Sequence, residues 1–468
     1  MKHIELRHGC LGFKELLAQN IAVISPTMTA ALIVPVMYGT SGSLSWLSYA
    51  VGAVMLLMVA LNLNVFAKKS AGTGSMYAYI TRGLGVTAGG IGGWSLIWAY
   101  LGIAIAGVTG FSVFADKLLG LVFGISIYSP ALFFLAAFLA WYIAWKDIHL
   151  SQSMTLIVEG LSVTLITILC LIVLKDHRFA VDNTQFNFKN MNFSSLALGV
   201  IIAIFSLVGF ESATALGDEA KAPLQNIPKA IIWSIAMAGI FFVFVTYVTI
   251  IGTAGYHEPL ADLDAPLNVM ARLAHVGYLQ IPISVGAMFS FFALALSCIN
   301  AGSRIIFAMS RHELVHKSVS VVHEKNATPH VAINIMAVLA VFIPTAMYIF
   351  HNSAFTTFGW AGTMAAFGFL VAYILVTVSA PLYVHKRNKS KSKDWFISGI
   401  ALLMLLVPAV GLVYPVPPPP TNYFVYIFVV YLAGGAAWIS FTHRNKPHVK
   451  PNIHRDLEVS HAKFETDS

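Results

Sequence analysis

The sequence predicts an all-α polytopic membrane protein of about twelve transmembrane helices, built as a five-plus-five inverted repeat with discontinuous first and sixth helices. Three observations predict it. The chain is 58% hydrophobic and 10% charged, with a mean hydropathy of +0.77, whereas a soluble domain carries roughly 25% charged residues. Its apolar residues gather into runs of the length a bilayer requires, about 20 residues each. Two of those runs, five apart, are interrupted by helix-breaking residues.

The runs lie near 15–38, 44–66, 87–113, 128–146, 151–174, 197–217, 229–252, 280–303, 330–350, 356–380, 396–414 and 422–441. The first is too long for a signal peptide and lacks a small-residue cleavage pattern, so it reads as a span. A short polar joint (Lys146, Asp147, His149) separates the fourth from the fifth. With the N-terminus placed inside, 23 of the 28 lysines and arginines fall on inner segments. The outer segments hold Lys117, Lys175, Arg178, Lys189 and Arg272. The positive-inside rule expects this asymmetry, which supports both the count and cytoplasmic termini at the cell membrane. It also accounts for the net charge of +8 without invoking nucleic acid.

These boundaries give a cytoplasmic tail (1–14), a first five-helix repeat (15–195), a second (196–395), two appended helices (396–441) and a cytoplasmic tail (442–468). Pro415 and the run Pro417 to Pro420 predict a stiff outer turn, and the polar, basic tail from Thr442 reads as disordered. Trp46, Trp141, Trp145 and Trp395 stand near run ends, where interfacial tryptophans anchor. Cys10, Cys170 and Cys298 are far apart, with neither metal spacing nor a disulfide framework, so no metal or cofactor is expected.

The first interruption is Ser25-Pro26-Thr27-Met28-Thr29-Ala30. Proline removes a backbone donor and clashes with the preceding turn. The second is Ser206-Leu207-Val208-Gly209-Phe210-Glu211-Ser212. Helices an odd number of spans apart cross in opposite directions, as an inverted repeat requires. In such repeats, half-helix ends meet at the midplane and bind substrate. An exposed helix N-terminus suits a carboxylate, and free carbonyls suit an ammonium group. A zwitterionic amino acid matches both, so the partner expected is a small amino acid or related amine, held within the lipid bilayer.

Two carboxyls lie at bilayer depth. Glu211 is in the sixth run, and Glu159 is in the fifth, roughly 13 Å from its inner end at 1.5 Å per residue. Charges there are costly and mark function by default. Burial favours the neutral form of a carboxyl, which makes both candidate proton carriers. A carboxylate also binds sodium, so the residues leave the ion open. Arg304 lies near the inner end of the eighth run and is expected to snorkel. Ser297 and Asn300 are placed to bond across helices.

The segment Gly209-Phe210-Glu211-Ser212, followed by Glu219, Pro223, Pro228 and Ala230, resembles the sixth helix and following loop of amino acid–polyamine–organocation (APC) family permeases. Asn300-Ala301-Gly302-Ser303-Arg304, Ala308 to Arg311 and Thr328-Pro329 are similar to that family's later stretches, so the likeness covers nearly the whole chain. The first break departs from the family's glycine-rich pattern, with Met28 in the pocket region, and Glu313-Leu314-Val315-His316 replaces a proline-ended turn.

The resemblance implies secondary transport of an amino acid by alternating access, with proton symport. Glu159 stands about where proton-coupled relatives carry a lysine, and Phe205 where they carry an aromatic gate. The substrate carboxylate is then expected at the amides of Thr27 to Ala30. Its amine is expected at carbonyls near Ser25 and from Phe205 to Gly209, with Phe205 and Phe210 closing over it. Ser212 belongs to the same binding set, and Glu211 is expected to link the two broken helices. Alternatives are an amino acid/amine exchanger or a polyamine carrier. An integral membrane enzyme lacks support, since no paired intramembrane histidines or aspartates are present, and a sensor would need a longer soluble domain.

Overall fold

The computed structural model describes residues 6–72, 74–188, 193–263, 265–387, 392–414 and 416–465. Lys189, Lys389, Lys391 and Pro415, which figured in the loop and turn expectations, lie outside the described residues. Among the described residues the chain is helical, with one isolated bridge between Leu11 and Ala220.

The first apolar stretch, Phe13–Ala67, runs 55 residues. As one helix it would reach about 80 Å, more than twice the ~30 Å hydrocarbon core. It divides instead. Segments α1 (Phe13–Ile24), α2 (Pro26–Met28), a π-turn (Thr29–Ile33) and α3 (Val34–Ser41) make one crossing. The chain reverses at Gly42, whose φ of +58° suits glycine, and α4 (Ser45–Ala67) returns. The other ten candidate spans contain α6 (Val86–Phe123), α7 (Ser129–Lys146), α8 (Ile148–Asp176), α9 (Phe193–Leu207), α10 (Pro223–Gly252), α12 (Gln280–Arg311), α13 (His330–Ile349), α14 (Ala354–Lys386), α15 (Ser392–Gly411) and α16 (Phe424–Asn445). Two short helices, α5 (Ser75–Leu84) and α11 (Pro266–Leu273), lie in loops read from sequence as plain connections. With the first stretch divided into two legs, the eleven candidate spans among the described residues match the twelve predicted runs.

Both predicted breaks occur. At Ser25 the backbone turns left-handed (φ +50°), and Pro26 has no N–H to offer the Ala22 carbonyl. At Gly209 (φ +93°), α9 gives way to a turn and a 3-10 segment, Ser212–Ala215. The two broken helices run antiparallel: α1 lies against Ser212–Ala215, while α3 lies against α9. Ser41 Oγ donates to the Ser195 carbonyl at 3.1 Å on that second contact.

α6 threads the centre between α12 and α14. Small residues permit the approach. A Cβ on Gly107 would stand 2.7 Å from the Ala295 nitrogen, and one on Gly102 would stand 2.9 Å from the Ala361 carbonyl. Close backbone packing through small residues is how membrane helices associate without a hydrophobic driving force. The joint between the fourth and fifth spans is a helix cap: Asp147 accepts from the His149 and Leu150 amides at 2.7 and 3.4 Å.

The tail after Thr442, expected to be disordered, is helical over most of its described length. Residues Val449–Glu465 form α17, with Val449, Ile453 and Leu457 buried. Spacing of four places these three on one helix face. Average composition concealed that stripe because the remaining faces are polar. Arg82 donates to the Leu457 carbonyl at 2.7 Å, and His312 Nε2 pairs with Asp456 at 2.9 Å. Glu313 meets Lys446 at 3.2 Å and Lys317 at 3.1 Å. Each buried aliphatic contributes ~1.5–3 kcal/mol before ordering entropy is subtracted. Ending the chain at Asn445 is expected to lower the thermal midpoint in detergent, and a thermal-shift scan reads this. Contacts to Lys317 and Lys446 hold the Glu313 carboxyl below its usual range. A depressed carboxyl contributes stability above its unfolded value, about 4.3, and loses it as pH falls through the folded value. Limited proteolysis of the tail should therefore quicken below about pH 4.

Candidate functional site

The two breaks meet at the centre of the bundle. A Cβ on Gly209 would approach Val23 Cγ1 to 2.1 Å. The left-handed φ and this contact together demand glycine, so Gly209→Ala is expected to cost at least ~1–2 kcal/mol and to lower the yield of folded protein. A side chain that sequence reasoning missed joins the broken helices. Asn20 Oδ1 accepts from the Ala213 amide at 2.7 Å and from Ser212 Oγ at 3.1 Å, while its amide nitrogen reaches Ser234 Oγ at 3.4 Å.

Glu211 is fully buried, but it does not make the expected link to the first helix. Its two oxygens accept from Tyr100 of α6 at 3.0 Å and Tyr373 of α14 at 2.7 Å. The Tyr373 hydroxyl also accepts from the Gly209 amide at 3.3 Å. Glu211 thereby fastens the sixth-helix break to the third and tenth spans. The reason is local: with Gly209 pressed on Val23, the carboxyl leaves on the side where two tyrosines supply donors.

Glu159 makes the connection to the first break. Thr27 Oγ1 donates to its Oε2 at 3.4 Å. Ser290 of α12 donates to its Oε1 in a short hydrogen bond. Ser290 Oγ also lies 3.2 Å from Ser25 Oγ. Ser25, Thr27 and Ser290 are each 0% exposed, and Glu159 is 3% exposed. Ser290 had a sequence signal. It lies seven residues before Ser297, two helical turns along the same face. Asn300 bonds across helices to Ser151 at 2.7 Å, whereas Ser297 binds Gln19 through its backbone carbonyl at 2.9 Å.

The remaining expected residues divide. Pro26, Thr27 and Met28 open the second half of the broken helix, and Thr29 and Ala30 begin its π-turn, a feature frequent at functional sites. The Thr29 amide donates to the Ser25 carbonyl at 3.2 Å, which leaves fewer of the expected carboxylate-binding amides free. The Thr29 hydroxyl is buried without a partner. Phe210 is fully buried and packs 5.3 Å from the Tyr373 ring. Phe205 rests over Gly362 of α14, where an added Cβ would meet its ring at 2.5 Å. Two apolar grooves of about 630 Å³ lie elsewhere, one between α4 and α10 and one among α6, α7, α8 and α12. Neither includes Ser25 or Glu211.

Arg304 does not snorkel. It is 0% exposed and grips Glu219 through two hydrogen bonds of 2.7 Å. The guanidinium fork matches a carboxylate, and the loop after the sixth helix delivers one. The Glu219 carbonyl accepts from the Cys10 and Leu11 amides at 2.8 and 2.9 Å, and the Lys221 backbone amide donates to the Leu11 carbonyl at 2.7 Å. One end of the bundle is thus stitched across the N-terminal segment, the loop and α12. Among the described residues, no three His, Cys, Asp or Glu side chains gather as a metal site.

Comparison with known proteins agrees with this architecture. The branched-chain amino acid permease BcaP of Bacillus subtilis is 27% identical over 315 residues, covering 63% of this chain and 65% of that protein. BcaP of Lactococcus lactis subsp. cremoris is 26% identical over 363 residues, 74% of this chain and 75% of that protein. The low-affinity putrescine importer PlaP of Escherichia coli K12 is 22% identical over 363 residues, 75% of this chain and 76% of that protein. The family model described as amino acid permease matches residues 16–453. The chain therefore belongs to the amino acid permease family, within the APC group its motifs resembled, and is a membrane transporter rather than an enzyme.

Proposed function

We propose that this permease imports an amino acid by proton symport, with Glu159 carrying the proton and the substrate held between the breaks at Ser25 and Gly209. One observation carries the reading. Glu159 is the buried carboxyl bonded to the first break, directly through Thr27 and through Ser290 to Ser25. Loading Glu159 with a proton changes which of these hydroxyls donates and which accepts, so proton binding biases the shape of the break. A ligand shifts such an equilibrium only by its differential affinity for the two shapes. The substrate carboxylate belongs at the start of the second half-helix, from Thr27 to Ala30, and its ammonium belongs at carbonyls near Ser25 and from Phe205 to Gly209.

Met28, within that stretch, supplies apolar surface, which favours an amino acid with an apolar side chain. The relatives named as branched-chain amino acid permeases fit this choice. The putrescine importer among the relatives favours a second reading, a polyamine carrier. Against it, Glu211 is fully buried and turned onto two tyrosine hydroxyls rather than toward the first break, where a second ammonium group would need it. The Lys and Arg distribution supports cytoplasmic termini and residence in the cell membrane.

The test is uptake of a radiolabelled amino acid and amine panel into proteoliposomes, sodium-free, with and without an inward proton gradient. Accumulation of leucine, isoleucine or valine that collapses without the gradient is expected. Uptake indifferent to the gradient but dependent on internal substrate would replace symport with exchange.

A further inference from the structure

From Glu159 and Ser290 at the first break toward Arg304, three helices present a run of buried polar groups, most of which the substrate site does not use. On α8 the residues are Ser151, Gln152, Thr155 and Glu159. On α12 they are Ser290, Ser297, Asn300 and Arg304, and α1 adds Gln19. Each is 3% exposed or less.

Two rungs fix their alignment. Glu159 bonds Ser290, and eight residues earlier on α8 Ser151 bonds Asn300, ten residues later on α12. The two helices are therefore antiparallel here, and the rungs stand about 12 Å apart along α8. A cross-tie lies between them: Gln152 Nε2 donates to Gln19 Oε1 at 2.7 Å, and Gln19 Nε2 donates to the Ser297 carbonyl at 2.9 Å.

Three oxygens in this interval lack a hydrogen-bond partner: Gln152 Oε1, Thr155 Oγ1 and Ser297 Oγ. Thr155 lies four residues from both Ser151 and Glu159, on the face that makes both rungs. Ser297 lies between Ser290 and Asn300 on the facing helix. Leaving three such groups dry inside the bundle is costly. Buried water bound to two to four polar partners is the usual resolution. Below the lower rung, Arg304 donates to the Asn300 carbonyl at 3.1 Å and grips Glu219, in the loop stitched to the N-terminal segment.

We propose that Gln152, Thr155 and Ser297 bind a short file of water, and that this file is the route by which Glu159 exchanges its proton with the face bearing the Arg304–Glu219 pair. This rests on the reading of Glu159 as proton carrier. In release, the Glu159 O–H bond breaks and its proton joins the first water. Each water hands one proton onward, one proton leaves at the far end, and Glu159 remains as carboxylate. Thr155 and Ser297 are positioning residues: they hold the water and do not touch substrate.

The experiment uses the full chain in proteoliposomes. Thr155→Val is nearly isosteric and removes a hydroxyl that bonds no protein group. Combined with Ser297→Ala, it is expected to slow gradient-driven net uptake about tenfold or more. Substrate counterflow, in which the carrier cycles with its proton aboard, should stay within about twofold, and Thr155→Ser should restore net uptake. Thermal stability reads the water independently of transport. A dry, unpartnered hydroxyl predicts that Thr155→Val raises the thermal midpoint, whereas a water-bound one predicts no rise. Full net uptake in the double variant, or a raised midpoint, overturns the file. Glu159→Gln run in parallel separates the two ideas. If it keeps gradient-driven uptake, the reading of Glu159 itself fails. If it loses that uptake while the double variant keeps it, the file alone fails.

Discussion

Glu159→Gln is expected to reduce gradient-driven accumulation by about 10²-fold or more while sparing counterflow, because proton transfer by one positioned group contributes roughly 10²–10⁴-fold. Glutamine has nearly the same shape, and its carbonyl oxygen still accepts from Ser290 or Thr27, the two donors Glu159 has now. What it cannot do is take up and release a proton. The loss should therefore fall on coupling rather than on folding. Glu211→Gln supplies the contrast. There the carboxyl accepts from two tyrosine hydroxyls, Tyr100 and Tyr373. An amide can keep one of these bonds as acceptor and turn the other into a donor contact, since a tyrosine oxygen also accepts. Glu211→Gln is expected to lower thermal stability and turnover together while leaving the remaining uptake gradient-dependent. Equal loss of gradient dependence in both variants would mean that Glu159 is not the special carrier.

The second large effect lies at the stitched end. Arg304→Ala is expected to destabilise the fold by about 3–5 kcal/mol, because it leaves the Glu219 carboxylate buried without its partner. Glu219 is 0% and Arg304 0% exposed, joined by two 2.7 Å bonds. Replacing both, as Arg304→Met with Glu219→Gln, is expected to recover much of that loss, since no uncompensated charge remains. Detergent thermal shift measures both. Cys10 reports the same event chemically. Burial, with Glu219 nearby, pushes its thiol up to about 11, so little thiolate exists at neutral pH. Slow maleimide labelling is expected in the parent protein and faster labelling in Arg304→Ala, where the N-terminal segment loses its anchor. Unchanged labelling and an unchanged midpoint would show that the pair does not hold this end.

Much of the fold was legible because membrane insertion is written in one dimension. Apolar run length and two helix breakers five spans apart are local properties, and each reappears in the structure as a helical span or a break. The motif from Gly209 to Ala230 was legible for the same reason. α17 was missed because its three buried residues, Val449, Ile453 and Leu457, are diluted by polar neighbours. Only their spacing betrays them. The Asn20 bridge was illegible, because one asparagine in an apolar run carries no mark of its partner almost two hundred residues away.

Sequence by itself therefore determined the class, the crossings, the two breaks and the two carboxyls at depth, since each follows from chain-local chemistry in a bilayer. Tertiary structure alone decided the partners of those carboxyls: Glu159 meets the first break, whereas Glu211 is held by tyrosines from the third and tenth spans. It alone turned Arg304 inward onto Glu219. The physical reason is that a buried polar group must find a partner, and its partner is whatever the helix packing brings within about 3 Å.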